Sequence, residues 1–202
     1  KIFNSKIHTN ISIARNNAIK ESIDEYICFL DVDDYWSKYK LEKQIISFKS
    51  EEIGLSFTNF WYIKNSKNKE TKKKIYLKFE TGLINKLIKK YEIVLSTIMV
   101  KRVIIERIDI PFDEEYHIIS DFDFTVNLLL ITKYHHIKDH LTYRTWHGEN
   151  ESIKKRRDAV KEIENWIENN NEKYKNYSNE INFLEKKVFY DKINYKIKDK
   201  KF

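Results

Sequence analysis

Three aspartates directly after a short apolar run constrain the fold of this chain more than any other feature. Residues 25–30 (E-Y-I-C-F-L) have the composition of a buried strand, and Asp31, Asp33 and Asp34 follow at once. Open α/β folds bind their ligands in the loops at the carboxyl ends of strands. Carboxylates crowded into one such loop repel each other unless a cation is bound, and Mg²⁺ or Mn²⁺ accepts these oxygens while keeping positions for phosphate. The sequence therefore predicts a divalent-cation site, with a solvated acidic turn as the alternative.

Hydrophobic periodicity predicts that helices and strands alternate along the chain. Apolar residues at helical spacing occupy residues 11–23, and Leu41, Ile45 and Phe48 predict a second helix with Ser37 as its N-cap. Further predicted elements are a strand at 53–63 with a hairpin partner at 75–79, helices at 83–89 and 121–131, and strands at 96–100, 134–137 and 141–146. This alternation is typical of an α/β fold.

The last quarter of the chain has a different pattern. Ala159, Val160 and Ile163 belong to an apolar stripe at helical spacing within a highly charged background. We therefore expect residues 1–152 to form one α/β domain and residues 153–202 to form a helical extension.

Composition excludes several classes of protein. One cysteine in 202 residues, Cys28, excludes a disulfide framework and a cysteine-based zinc site, which suits the cytoplasm. No run of about eighteen apolar residues is present, so we expect a protein that is at most peripheral at the inner face of the membrane. A net charge of +7 is compatible with nucleotide phosphates, nucleic acid or anionic lipid headgroups and does not choose among them.

Three segments of the first 44 residues, taken together, resemble one enzyme family. Residues 12–16 are S-I-A-R-N, residues 25–36 are E-Y-I-C-F-L-D-V-D-D-Y-W, and residues 40–44 are K-L-E-K-Q. In sequence and spacing they resemble the family 2 glycosyltransferases of the GT-A fold. Later motifs of that family have similar counterparts at residues 111–115, 120–124 and 143–148, with Asn150 and Ser152. The resemblance covers residues 8–152 and implies a Rossmann-like mixed sheet flanked by helices.

The resemblance also implies which residues hold a nucleotide-sugar donor. It places Asp33 on a Mn²⁺ or Mg²⁺ ion and Asp31 near the donor ribose or the metal shell. Arg15 would hold the nucleotide, since a guanidinium suits phosphate; the alternative is a surface arginine. His147 is expected at the metal or diphosphate, or else as a structural histidine. Trp36 is expected to be an apolar platform in the donor site, or else a packing residue.

A separate carboxylate is implied as the catalytic base. The resemblance assigns this role to Asp121, which would take the proton from the acceptor hydroxyl as that oxygen attacks the anomeric carbon and inverts it. The alternative is an N-cap of the following helix, and the two roles are compatible. Asp123 is expected to support the loop.

The chain departs from the family pattern in several places. The family pattern begins with a strand, a nucleotide-binding loop and a second strand, and this chain begins after them. The resemblance therefore implies an N-terminally truncated GT-A domain. His8 and Asn10 stand where Asn and Gly are typical, and Lys38 stands where Pro is common. Ser120 replaces a glutamate beside Asp121, so we expect an altered pKa and orientation of that carboxyl.

The sequence leaves three functional hypotheses. The first is an inverting glycosyltransferase that uses a UDP-sugar and a saccharide or lipid-linked acceptor in cell-surface polysaccharide or lipopolysaccharide biosynthesis. The second is a truncated, noncatalytic binding module. The third, a nucleic-acid-binding protein, rests on charge and aromatic content alone, so we expect no nucleic-acid partner. Acidic residues among the lysines of the C-terminal helices favour packing, or pairing in a homo-oligomer, over strong membrane binding.

Overall fold

The fold is a mixed six-stranded sheet flanked by helices. A computed structural model describes residues 10–66, 69–78, 82–147 and 154–199. The strands are β1 Tyr26–Cys28, β2 Tyr35–Trp36, β3 Ile53–Ser66, β4 Lys69–Ile75, β5 Met99–Lys101 and β6 Lys133–Trp146. The helices are α1 Ile11–Glu21, α2 Lys40–Ile45, α3 Leu83–Lys89, α4 Arg102–Ile105, α5 Ser120–Ile131, α6 Arg156–Asn170 and α7 Ser178–Asp199. The motif positions His8, Asn150 and Ser152 and the domain boundary predicted after residue 152 lie outside the described residues.

Strand β3 is the centre of the sheet, whose order is β1-β5-β3-β6-β2. It pairs in parallel with β6 and antiparallel with β5, and its second half pairs antiparallel with β4. Leu55 and Phe57 of β3 are fully buried, because both edges of this strand are covered by neighbours and its faces by helices and loops. The antiparallel pairing of β2 with β6 places the end of β6 beside the loop that follows β1.

The predicted hairpin is confirmed, although its second strand is displaced. β4 runs from Lys69 to Ile75, inside the stretch predicted to be a polar connection. Lysines are well tolerated there, because β4 is an edge strand whose side chains are solvated. The strands predicted at 134–137 and 141–146 are one strand, β6, whose pairing with β3 continues through register shifts near Asn59.

Most predicted helices and strands lie where the sequence places them, apart from two details. The prediction of Ser37 as an N-cap is wrong, since α2 begins at Lys40 and the Lys40 N–H bonds to the Ser37 carbonyl in a preceding turn. The strand predicted at 96–100 starts only at Met99, because Leu95–Thr97 forms a 3-10 turn. The other predicted helices and strands are confirmed within a few residues, whereas β2 and α4 were not predicted.

The C-terminal helices pack into the same hydrophobic core as the sheet. Trp166 of α6 is fully buried and its ring lies 4.9 Å from the rings of both Phe122 and Tyr174. Lys89 of α3 forms an ion pair with Glu180 of α7 at 3.1 Å. The helical pattern predicted for the last quarter is therefore confirmed over its described part. None of the described helices is both long and apolar enough to cross a bilayer.

Candidate functional site

One cavity lies where α1, the loop after β1, the start of α5 and the end of β6 meet. Its volume is about 590 Å³, and its wall carries charges of both signs. The charged and titratable residues that line it include Arg15, Asp31, Asp33, Asp34, Asp121, Arg144 and His147. Five of the six residues that the sequence predicts for the site therefore line one cavity, and Trp36 is the exception.

The acidic loop is held in place from two sides. The Asp31 N–H donates to the hydroxyl of the fully buried Ser96 (3.2 Å), and the Thr145 N–H of β6 donates to Oδ1 of Asp34 (3.0 Å). Ser96 also hydrogen-bonds the Asp34 carboxyl, while burial raises the pKa of that group. Asp34 thus ties the loop to β6, and the preceding residue, Asp33, lines the cavity.

Asp33 and His147 form a pair on the cavity wall. Oδ2 of Asp33 lies 3.0 Å from Nε2 of His147, and the side chains are 29% and 40% exposed. A carboxylate oxygen and an imidazole nitrogen are both ligands of Mn²⁺, and Mg²⁺ is commonly held by one or two carboxylates together with substrate phosphates. Within the described ranges, no three His, Cys, Asp or Glu side chains are grouped to hold a metal ion. The pair fits a cation that completes its coordination with a bound ligand.

Arg15 is fixed between three elements. Its guanidinium donates to the Ser120 hydroxyl (3.0 Å) and to Oδ1 of Asp31 (3.2 Å), and it lies over the ring of Phe112. The side chain is only 15% exposed. Ser120, the residue that departs from the family pattern, therefore serves as an acceptor for Arg15. The arrangement keeps a positive charge at the cavity wall and excludes a freely solvated arginine.

Asp121 is a half-buried carboxyl in the first turn of α5. Its Oδ1 accepts a hydrogen bond from the Phe122 N–H at 2.9 Å. Burial raises the pKa of Asp121 to about 6, an effect that Arg15 opposes and Asp31 reinforces. Because α5 begins at Ser120, Asp121 does not cap the helix. A carboxyl with this pKa is mostly ionised at neutral pH and is more basic than a solvated aspartate, as a general base requires.

Two neighbouring residues have structural contacts instead. Trp36 donates from its indole N–H to the Ser96 carbonyl (2.8 Å), and the Lys40 ammonium lies 4.2 Å from its ring centroid. It borders a separate surface pocket. Asp123 accepts hydrogen bonds from Trp166 (2.8 Å) and Asn127 (3.1 Å) and so ties α6 to α5.

Sequence reasoning missed Ser96 and Arg144. Ser96 lies in an apolar segment and gives no local signal, since its role depends on the loop that folds onto it. Arg144 lies within the block at residues 143–148, so its place in a recognised motif was the available signal.

Comparison with known sequences relates the chain to glycosyltransferases. The profile described as Glycosyl transferase family 2 matches residues 1–109, more than half of the chain. The putative teichuronic acid biosynthesis glycosyltransferase TuaG of Bacillus subtilis (strain 168) is 38% identical over 53 residues, 26% of this chain and 21% of TuaG. The UDP-Glc:alpha-D-GlcNAc-diphosphoundecaprenol beta-1,3-glucosyltransferase WfgD of Escherichia coli is 32% identical over 110 residues, 52% of this chain and 41% of WfgD. The matched part spans less than half the length of these relatives.

Comparison of structures agrees with the sequence match. The crystal structure of S. aureus TarS 1-349 in complex with UDP-GlcNAc has a TM-score of 0.52 and 19% identity, over 69% of this chain and 40% of that chain. TarS 1-349 without a named ligand gives the same TM-score at 18% identity, over 67% of this chain and 40% of that chain. The likeness confirms the predicted α/β GT-A fold with a mixed sheet flanked by helices. Together with the profile match over residues 1–109, it shows that this chain belongs to glycosyl transferase family 2.

Proposed function

We propose that this chain is a metal-dependent, inverting glycosyltransferase that moves a sugar from a UDP-sugar donor to a hydroxyl of an acceptor. The observation that carries the proposal is the presence, in one cavity, of the Asp33–His147 pair and of Asp121. Transfer from a nucleotide diphosphate needs positive charge at the leaving group and a base at the attacking hydroxyl. The cavity holds residues suited to each task.

Asp33, His147 and Arg15 would bind the donor diphosphate. Asp33 and His147 would hold Mn²⁺ or Mg²⁺, which when bound stabilises negative charge on a departing diphosphate. Arg15 uses N–H groups of both terminal nitrogens on Ser120 and Asp31. A guanidinium has five N–H donors, so others remain for a phosphate oxygen. The contacts of Arg15 hold its charge in position before the donor arrives.

Asp121 would be the base for the acceptor hydroxyl. With a pKa of about 6, about nine-tenths of this carboxyl is ionised at pH 7. It accepts the proton of the acceptor hydroxyl while that oxygen bonds to the anomeric carbon and the bond to the diphosphate breaks. A direct displacement of this kind inverts the configuration. The hydrogen bond from the Phe122 N–H fixes one carboxyl oxygen and leaves the other for the substrate.

The names of the relatives support the substrate class. WfgD is named for a UDP-glucose donor and a diphosphoundecaprenol-linked sugar, and TuaG for teichuronic acid biosynthesis. By this analogy the chain uses a UDP-sugar and a saccharide or lipid-linked acceptor in cell-surface polysaccharide biosynthesis.

The proposal is tested by UDP release. The 202-residue chain is incubated with a panel of UDP-sugars, Mn²⁺ and GlcNAc linked through a diphosphate to a short prenol. We expect metal-dependent turnover that falls by about 100-fold or more in Asp121→Asn, the usual effect of losing a general base. Asp109→Asn, which changes an exposed carboxylate outside the cavity, should leave turnover unchanged. A folded chain that binds UDP and turns over no donor would instead support the noncatalytic module.

A further inference from the structure

A row of three polar side chains crosses the sheet next to the cavity. In the register of the sheet, Tyr62 of β3 lies directly opposite Arg144 of β6 on one side and Lys73 of β4 on the other. Side chains that are directly opposite in a sheet project from the same face, with Cβ atoms about 5 Å apart. The row therefore extends about 10 Å outward from the cavity.

Arg144 forms the inner end of this row. It is half-buried and lines the cavity together with Asp121, and its charge acts on that carboxyl. Among the described residues its guanidinium takes part in no hydrogen bond or ion pair, in contrast to Arg15. A half-buried guanidinium with unused donors is suited to a planar or tetrahedral anion of a ligand.

Tyr62 and Lys73 continue the row toward solvent. Tyr62 is half-buried and lies close enough to Arg144 for that charge to lower the pKa of its hydroxyl, against a larger rise caused by burial. Lys73 is exposed, and none of the described residues pairs with its ammonium. The Tyr62 hydroxyl and the cations on either side of it are all hydrogen-bond donors. The row therefore offers donors to phosphate oxygens at several points along one line.

The opposite face of the same strands has different chemistry. There Trp61 stacks on Tyr143 with ring planes 5° apart, and the Lys74 ammonium lies 5.1 Å from the Trp61 ring centroid. On that face the aromatic rings and the Lys74 ammonium contact one another. On the face with Tyr62, the donors of Arg144 and Lys73 have no partner among the described residues. Lys73 and Lys74 are thus adjacent lysines in contrasting environments.

We propose that the Arg144–Tyr62–Lys73 row binds a phosphate or diphosphate group of the acceptor and so directs the acceptor hydroxyl to Asp121. The inference rests on the proposed function, in which Asp33, His147 and Arg15 serve the donor diphosphate. A neutral saccharide accepts hydrogen bonds from such a row but leaves its two positive charges unpaired. An acceptor with a phosphate linkage would gain charge-assisted hydrogen bonds from both ends of the row.

The test uses farnesyl diphosphate as the probe, titrated calorimetrically into the 202-residue chain that is already saturated with UDP and Mn²⁺. Arg144→Gln should weaken binding about tenfold, the effect of losing one charged hydrogen bond. Lys73→Gln should weaken it about threefold, as expected for an exposed charge. Lys74→Gln is the matched control and should leave binding unchanged, as should Arg144→Gln for UDP alone. Farnesol, which lacks phosphate, should bind more weakly and be insensitive to all three changes.

The outcomes separate this inference from the proposed function. If UDP does not bind the wild-type chain, the proposed function fails first. If UDP binds but farnesyl diphosphate does not, or binds equally well to Arg144→Gln, the acceptor subsite is overturned and the donor site stands. Equal weakening of UDP by Arg144→Gln would assign Arg144 to the donor, and equal effects of Lys73→Gln and Lys74→Gln would reduce the row to nonspecific charge.

Discussion

The substitution Asp121→Asn should reduce turnover by about 100-fold or more and stabilise the fold at the same time. Burial raises the pKa of Asp121 from 3.8 to about 6 in the folded chain. A carboxyl whose pKa rises on folding contributes stability below its unfolded pKa, and this contribution is lost as the pH rises through the folded pKa. At pH 7.5 the ionised carboxyl therefore costs about 3 kcal/mol, from about two pKa units at about 1.4 kcal/mol each. Asparagine keeps the acceptor for the Phe122 N–H and carries no charge.

The assay is urea unfolding at two pH values, followed by tryptophan fluorescence. The advantage of Asp121→Asn over the wild type should grow by about 2 kcal/mol between pH 4.5 and pH 7.5, the pH range over which the wild-type carboxyl ionises in the folded state. Asp109→Asn should show no such growth, because Asp109 is exposed. An advantage that is constant with pH, or a wild type that gains on the variant at pH 7.5, would contradict the expectation that the ionised, half-buried carboxyl of Asp121 costs stability.

Three further predictions concern buried contacts of the fold and of the acidic loop. Trp166→Phe leaves Oδ1 of buried Asp123 without its donor and places a smaller ring in a fully buried site, so the free energy of unfolding should fall by about 1–3 kcal/mol in urea titration. Gly54→Ala should destabilise by about 1–3 kcal/mol in the same assay, since a Cβ there would overlap Thr132 and Ile104. Ser96→Ala removes the hydroxyl that holds the acidic loop and should weaken metal-dependent UDP binding several-fold in calorimetry, whereas Ser96→Thr should retain part of it.

The local part of the site was predictable from the sequence. Asp31 and Asp33 follow an apolar strand without a gap, so composition alone places carboxylates at a strand end. The helix with Arg15 and the helix with Asp121 were likewise evident from periodicity. Each of these signals comes from residues within one turn or strand of each other.

The contacts between distant segments were not predictable. Arg15 meets Ser120 across 105 residues, and Asp34 meets Thr145 across 111. These meetings depend on β3 lying between β5 and β6, and hydrophobic periodicity does not encode strand order. Trp36 illustrates the same point, because an apolar ring suits a binding platform and a packing position equally well until its partners are known.

Calorimetric titration of UDP into the chain with and without Mn²⁺ tests whether the acidic loop binds a metal and a nucleotide diphosphate. We expect binding that requires Mn²⁺, is lost in Asp33→Ala and is preserved in Asp109→Ala. Binding that is absent from the folded wild-type chain, or that is indifferent to both Mn²⁺ and Asp33, would contradict it.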